Sequence, residues 1–278
     1  MNTENYLKIK ELIKNADAIL IGAGAGLSAS AGIDYSEESF KKIFPELVSA
    51  YGMTDMYTSS FYEFNTEEER WCYWAKHINY SFIAPPPLKA YTNLFKLVKG
   101  KNYFVITTNV DGQFEKSGFN HSKVFEVQGS YGKMQCSVGC HNKLYSNVEL
   151  VKKILKSKDN LKVDSNLIPY CPVCKEKMEI NIRKDAFFVE DNNWHNLNSA
   201  YEKFVNDNID KNLVLIELGV GFNTPSIIRF PFEQLAYQYD NVILVRVNDK
   251  YNDMAFELKD RAICIKEDCA VAISKILN

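Results

Sequence analysis

Ala18-Ile19-Leu20-Ile21-Gly22-Ala23-Gly24-Ala25-Gly26 is the stretch on which the fold is read. Its apolar run ends on Gly22, as a strand buried on both faces of a parallel sheet does. Small residues follow from Ala23 to Gly32, and only small residues let backbone approach a ligand closely. A strand-to-helix turn of this kind can cradle a pyrophosphate on its N–H groups. It can equally be a tight structural turn. The spacing is not the dinucleotide G-x-G-x-x-G, because Leu27 stands where the last glycine belongs, so the glycines alone leave the two readings level.

Upstream, Leu7, Ile9, Leu12 and Ile13 recur at helical spacing and predict an amphipathic helix over 4–15. Downstream, Tyr103-Phe104-Val105-Ile106-Thr107, Val124-Phe125-Glu126-Val127, Leu213-Val214-Leu215-Ile216-Glu217-Leu218, Asn241 to Val247 and Ala262-Ile263-Cys264-Ile265 read as five further strands. Helical stretches separate most of them, which predicts an α/β fold with a doubly wound parallel sheet. Two stretches break the rhythm. Residues 37–83 are helix-like and rich in aromatics, and end on Pro85-Pro86-Pro87, after which a helix is expected over 88–98. Residues 131–183 carry close cysteine pairs and a Lys-rich middle. They read as a helical insertion and a zinc-binding insertion.

Composition narrows the function. The 278 residues suit one large domain with a smaller insertion, or two domains in tandem. Thirty-three Lys and Arg against 35 Asp and Glu give a net charge of −2 with no basic run, which argues against nucleic-acid binding driven by bulk charge. No apolar stretch reaches the roughly 18–20 residues of a membrane span, and Met1-Asn2-Thr3-Glu4-Asn5-Tyr6 lacks a signal-peptide layout. A cytoplasmic protein is expected, with neither nucleic acid nor membrane as partner. Seven cysteines, four of them in two close pairs, suggest metal rather than disulfides in a reducing compartment.

Cys136-Ser137-Val138-Gly139-Cys140 and Cys171-Pro172-Val173-Cys174 supply four thiols, the ligand set of a closed, tetrahedral structural Zn²⁺ site. His141 stands beside the wider first pair as an alternative ligand; four free cysteines are the bland reading. Thr107-Thr108-Asn109-Val110-Asp111 follows the second strand, Glu126-Val127-Gln128-Gly129-Ser130 the third, Gly219-Val220-Gly221 the fourth and Asn248 the fifth. Any one of these is an ordinary helix cap. Four along the edge where wound sheets bind ligands are explained jointly by a nucleotide-sized molecule.

With those residues in view, the chain resembles the sirtuins. Gly24-Ala25-Gly26-Leu27-Ser28-Ala29-Ser30-Ala31-Gly32-Ile33-Asp34-Tyr35 is similar to the signature that begins Gly-Ala-Gly and ends Gly-Ile-Pro-Asp-Phe-Arg. The Thr107–Asp111 segment resembles Thr-Gln-Asn-Ile-Asp, and the four cysteines fall where sirtuins carry zinc. Phe188-Val189-Glu190 resembles the Phe-Gly-Glu lining the acyl-lysine cleft, Gly219-Val220-Gly221-Phe222 a Gly-Thr-Ser-Leu turn, and Asn248 a ribose-contacting Asn. The resemblance implies a Rossmann-like NAD-binding domain with NAD as co-substrate. NAD would be held through Gly24, Ala25, Gly26, Ser28, Asp34, Tyr35, Thr108, Asn109, Asp111, Gln128, Gly219, Val220, Gly221 and Asn248, and by adenine contacts at the backbone of Cys269.

The departures point to one branch. Where sirtuin deacylases carry a catalytic His the chain has Gln128; the proline before Asp34 is missing, and Ser36 and Thr108 replace an Arg and a Gln. This combination resembles the macrodomain-linked class M sirtuins. The resemblance implies ADP-ribosyl transfer from NAD to a lipoylated carrier similar to glycine-cleavage protein H. It names Asn109 and Gln128 as essential and a macrodomain hydrolase as a partner that reverses the modification, while Asp111 is expected to support nicotinamide departure by holding its carboxamide. The substitution has a physical meaning. Deacylation needs a base for a ribose hydroxyl, and His is suited by its pKa near 6.5. A glutamine amide orients by hydrogen bonds but takes no proton. Nicotinamide release would survive and the deacylation step would not.

A deacylase with another base, a non-catalytic NAD or ADP-ribose sensor, and a plain zinc-stabilised interaction module, against which the repeated strand-end residues count, are the rival readings. His121 precedes the third strand and belongs at the far end from Gln128. His77 and His195 have no site spacing. Trp71, Tyr73, Trp74 and Tyr80 are expected to pack the helical insertion, Cys72 and Cys264 to be buried, and 152–158 to form a solvated face.

Overall fold

The alternation of short apolar runs with helices produces a parallel sheet because each run is buried on both sides. The computed structural model describes residues 2–156 and 161–278. Its strands, in chain order, are β1 (Ala18–Ala23), β2 (Tyr103–Thr107), β3 (Val124–Glu126), β4 (Gly129–Cys136), β5 (Tyr145–Ser146), β6 (Met178–Ile182), β7 (Leu213–Leu218), β8 (Val242–Val247) and β9 (Ala262–Ile265). The chain folds as two compact units, one of residues 1–32, 86–128 and 192–278, the other of 33–85 and 129–191.

The first unit holds a six-stranded parallel sheet in the order β3-β2-β1-β7-β8-β9. All six strands read from the sequence are present, and the fold is the Rossmann-like one. Both β1 and β7 are buried along their whole length. Their alternate residues feed two cores: Ile19, Ile21, Val214 and Ile216 with Ile9, Leu94 and Ile273 on one face, Leu20 and Leu215 with Phe104 and Phe232 on the other. Gly22 breaks the apolar run for a packing reason. A Cβ there would lie 2.4 Å from Ile228 Cγ2 and 2.8 Å from the Phe232 ring, so glycine lets helix Arg229–Gln238 lie close against the strand. The chain's direction of travel across the sheet reverses between β1 and β7. In open α/β sheets, that switch point is where ligands bind, outside the strands' carboxyl ends.

In the second unit an antiparallel sheet, β5-β4-β6, stands with the helices Glu37–Ile43, Pro45–Tyr51, Met56–Ser59 and Glu67–Ile78. The long helix starts where Thr66 Oγ1 accepts the Glu69 N–H at 3.3 Å and three glutamates face the helix's positive end. Trp71, Tyr73 and Trp74 are buried with Cys136, Val151, Ile154, Met178 and Ile180 in one apolar core. The two stretches set out as separate insertions thus share a single core. Tyr80 is only half-buried, its hydroxyl donating to Asp34 O at 3.1 Å. Cys72 is buried, but Cys264, expected inside, is half-exposed because β9 is the sheet's edge strand. Lys152 and Lys153 are exposed on helix Val148–Ile154, and Ser157 and Lys158 lie outside the described residues. No helix among the described residues is long and apolar enough to cross a membrane.

Candidate functional site

At the carboxyl end of the sheet in the first unit, the turns after β1 and β7 press backbone on backbone. Gly24 N–H donates to Leu218 O and Gly26 N–H to Gly219 O, each at 3.0 Å. A Cβ on Gly26 would lie 2.8 Å from Gly219 Cα; one on Gly219, at φ +62, would lie 2.3 Å from Leu27 N. The glycines are therefore needed for turn-to-turn contact, and two N–H groups of the cradle are already bonded within the protein.

Beside this contact the polar ends of β1 and β2 converge. Thr107 Oγ1 donates to Ala23 O at 2.9 Å and accepts the Asn109 N–H at 3.0 Å. Thr108 N–H donates to Ala23 O at 3.1 Å. Asn109 Nδ2 donates to Gly24 O at 3.0 Å and to the Tyr91 hydroxyl at 3.2 Å. Ser28 Oγ stands 2.7 Å from that hydroxyl and 2.5 Å from Asp111 Oδ2, and Asp111 Oδ1 accepts the Gln113 N–H at 3.0 Å. Ser28, Tyr91, Asn109 and Asp111 are all buried. Burial pushes the Asp111 carboxyl above the usual carboxylate range, although the Ser28 and Gln113 bonds act the other way. The four form one connected group, and Tyr91 is a member that helical periodicity assigns to the apolar core.

The ends of β7 and β8 make a second node. Asn248 Nδ2 donates to Val220 O at 2.9 Å, and its Oδ1 accepts the N–H groups of Lys250 and Tyr251 at 3.0 and 2.9 Å. Gly221 is half-buried near the Tyr251 ring. Cys269 is buried with Sγ donating to Val247 O at 3.5 Å, and burial pushes its thiol up to about 12, so the sulfur packs and does not react. The next residue, Ala270, donates its N–H to Ser30 Oγ at 2.7 Å, tying the last helix to the helix after β1. Gln128 follows β3, half-buried; its Oε1 is buried and finds no partner among the described residues. An acceptor in that state costs about 1–3 kcal/mol unless something supplies a donor.

Sequence reasoning missed what holds these loops. Glu217 and Arg246 are buried and joined by two bonds of 2.7 and 2.9 Å. Arg229 reaches Tyr251 O and Asp253 O at 2.9 and 3.0 Å. The signal was present: Glu217 and Arg246 are lone opposite charges in two apolar runs, and β7–β8 register sets them side by side.

In the second unit, the four sulfurs of Cys136, Cys140, Cys171 and Cys174 all lie within 4.8 Å of one another. The closest pairs are 3.5 Å (Cys136–Cys174) and 3.6 Å (Cys140–Cys171), near the roughly 3.8 Å expected around a tetrahedral zinc with Zn–S of about 2.3 Å. The set is complete without His141, whose Nδ1 lies 3.0 Å from Cys140 Sγ and whose Nε2 lies 3.0 Å from the Tyr145 hydroxyl. Lys175, at φ +66, closes the second knuckle with its N–H on Cys171 O at 3.0 Å. The fit is to a structural zinc site.

Phe188, Val189 and Glu190 are held by side-chain amides. Gln135 Oε1 accepts the Val189 N–H at 3.0 Å, and Asn181 Nδ2 donates to Val189 O at 3.2 Å. Arg183 stacks over Phe188 at 4.2 Å and pairs with Glu190 at 2.5 Å. Asp34 is exposed and accepts from Ser36 N–H at 2.8 Å and Ser39 Oγ at 2.5 Å, bonds that lower its carboxyl below the usual range. Tyr35 packs half-buried on the unit's core.

The four histidines lie elsewhere. His121 is exposed on a 3₁₀ turn that leads into β3, at the end opposite Gln128. His77 is buried among Tyr73, Trp74 and Tyr131; His141 is at the cysteine cluster; His195 is exposed on helix Asn192–Asn208.

Comparison with known proteins bears on the family and the fold. The Sir2 family profile matches residues 24–220. A protein ADP-ribosyltransferase of Staphylococcus aureus (strain Mu50 / ATCC 700699) is 33% identical over 271 residues, covering 97% of this chain and 86% of that protein. A probable bifunctional ADP-ribose hydrolase/ADP-ribosyltransferase of Fusarium oxysporum f. sp. cubense is 33% identical over 291 residues; this chain spans 47% of that longer protein, and 97% of its own length is matched. Among solved structures, a Sir2 homologue–NAD complex superimposes with a TM-score of 0.62 at 17% identity, covering 98% of this chain and 92% of that one; at that identity the likeness bears on the fold.

Proposed function

Since the chain belongs to the Sir2 family, we propose that it is an NAD-dependent protein ADP-ribosyltransferase. The relatives bearing that name at 33% identity support the reading. The observation that carries it is the strand-end group itself. Ser28, Asn109 and Asp111 are pre-organised hydroxyl, amide and carboxyl groups, and Gln128 follows β3 with an amide oxygen that finds no partner among the described residues. These groups orient a ligand and stabilise developing charge without an imidazole base.

In the reaction, the bond between the nicotinamide nitrogen and ribose C1′ breaks, and its electron pair leaves with nicotinamide. C1′ then bonds to the acceptor's nucleophile, which gives up its proton. Asn109 positions the ribose and stabilises its positive charge. Asp111 holds the nicotinamide carboxamide and Gln128 orients the reacting groups. A zinc held by Cys136, Cys140, Cys171 and Cys174 would supply structure alone, since four thiolates leave no open position. The acceptor is a lipoylated carrier protein similar to glycine-cleavage protein H, and a macrodomain hydrolase removes the modification.

The test incubates purified protein and labelled NAD with the lipoylated and unlipoylated carrier, and follows intact mass. Label on the lipoylated carrier only, abolished by Asn109→Ala and by Gln128→Ala at unchanged melting temperature, is the expected result. Wild-type transfer by Asn109→Ala would refute the assignment of that residue. Acylated ADP-ribose in solution with no labelled protein would replace transferase by deacylase, and no loss of NAD would favour the sensor.

A further inference from the structure

Tyr91 sits in the middle of helix Lys89–Val98, on the buried stripe formed with Ala90, Leu94 and Val98. Its ring meets Phe114 edge-on at 5.0 Å and is fully excluded from solvent. For packing alone phenylalanine would serve, and it would spare the cost of burying a hydroxyl. The hydroxyl therefore calls for a reason in what it bonds.

Donor and acceptor counting gives the bonds a direction. Asn109 Nδ2 has only hydrogens to offer, so the Tyr91 oxygen accepts at 3.2 Å. Asp111 accepts on both oxygens, from Gln113 N–H and from Ser28 Oγ. Ser28, having donated its one hydrogen to Asp111, accepts from the Tyr91 O–H at 2.7 Å. The chain thus runs Asn109 to Tyr91 to Ser28 to Asp111, each hydroxyl donating once and accepting once. The second hydrogen of Asn109 Nδ2 goes to Gly24 O at 3.0 Å. With both hydrogens committed, a flipped amide would set Oδ1 against two oxygens. Oδ1 is consequently the one polar atom of that side chain left for a ligand.

We propose that Tyr91 is a positioning residue, which locks the Asn109 amide with its carbonyl oxygen free and couples it through Ser28 to Asp111. The proposal rests on the assignment of Asn109 and Asp111 to the NAD reaction. In Tyr91→Phe the ring and its packing remain, Gly24 O alone holds the amide, and Ser28 loses its donor.

The experiment measures nicotinamide release, NAD affinity, melting temperature and the ¹⁵N-resolved side-chain amide signals of Asn109 in wild type and Tyr91→Phe. The expected result is a kcat lowered about 10- to 100-fold, the scale of a misplaced reacting group. KM for NAD and the melting temperature stay close to wild type, and one Asn109 amide hydrogen loses its exchange protection. A fall in melting temperature with kcat and the amide signals unchanged would make Tyr91 structural only and overturn the proposal. Should wild type release no nicotinamide, the transferase reading has failed. The amide signals then decide the hydrogen-bond chain separately: lost protection in Tyr91→Phe supports it, unchanged signals refute it. Ser28→Ala cuts the same chain from its other side. If the chain acts as a unit, the double variant loses about what either single variant loses, and fully multiplicative losses would contradict the coupling.

Discussion

Replacing His77 by phenylalanine should flatten the pH dependence of stability by a calculable amount. His77 is 1% exposed, its Nδ1 lies 2.9 Å from the Tyr73 hydroxyl, and its Nε2 has no partner among the described residues. A protonated ring would need an acceptor at Nε2, so burial drives its pKa from 6.5 down to about 3. The folded value is the lower one. Between about 3 and 6.5 the unfolded chain therefore binds more protons, and stability present above pH 6.5 is lost as the pH falls. At about 1.36 kcal/mol per pH step, the loss is about 2 kcal/mol at pH 5 and about 3 kcal/mol at pH 4. Carboxylates also titrate there, so the quantity to follow is the difference between wild type and His77→Phe. Urea unfolding monitored by tryptophan fluorescence suits this, because Trp71 and Trp74 lie in the same core as His77. The wild-type advantage over the variant should shrink by about 2 kcal/mol between pH 7.5 and pH 5. Parallel stability curves would mean that the imidazole is hydrated or already charged in the fold, and the burial argument would fail.

Three further outcomes follow from the packing and the site. Cys171→Ser should bring zinc per chain, measured by elemental mass spectrometry, from one toward none and destabilise the protein, since folding and metal binding are one free energy; full zinc retention would contradict the assignment of the four cysteines as ligands. Gly219→Ala and Gly52→Ala both place a side chain at positive φ (+62 and +65), but only at Gly219 does the new Cβ meet backbone, Gly52 having nothing within 4 Å. Gly52→Ala should cost about 1 kcal/mol and Gly219→Ala clearly more; equal shifts in melting temperature would deny the turn-to-turn contact. Arg246→Met leaves the buried Glu217 carboxylate with only the Arg229 guanidinium, 4.0 Å away, and should cost about 3 kcal/mol, while Arg246→Met with Glu217→Met should recover part of it, as read by chemical unfolding.

The parallel sheet was legible because β1, β2, β7 and β8 are short, mostly apolar runs separated by helical stretches, with Glu217 and Arg246 the lone charges in β7 and β8. The small sheet was not. β4 and β6 carry Gln135, Glu179 and Asn181 inside, polar residues that look like loop in a sequence. They are stable there because Asn181 Nδ2 donates to Gln135 Oε1 at 2.6 Å and both amides bind the 187–190 backbone. The strand-end residues were visible as types at an edge. Which of them bond to each other depends on a few ångströms of register, and nothing in the sequence set Tyr91 apart from the rest of its helix. The glycine turn shows the converse: its composition advertised a ligand cradle, and much of its need for glycine comes from Gly219 across the sheet.

The order of strands in the first unit carries a cost in synthesis. β1 is central, hydrogen-bonded on one side to β2 and on the other to β7, but β7 is made long after it. At about 5–20 residues per second, β1 waits on the order of 10–40 s for that partner. Through that interval Ile19, Leu20 and Ile21 stand on an open edge, a template for any extended chain nearby. Fragments that stop before Leu213 should therefore aggregate, and the full chain should depend on holdase protection or slow, cool expression.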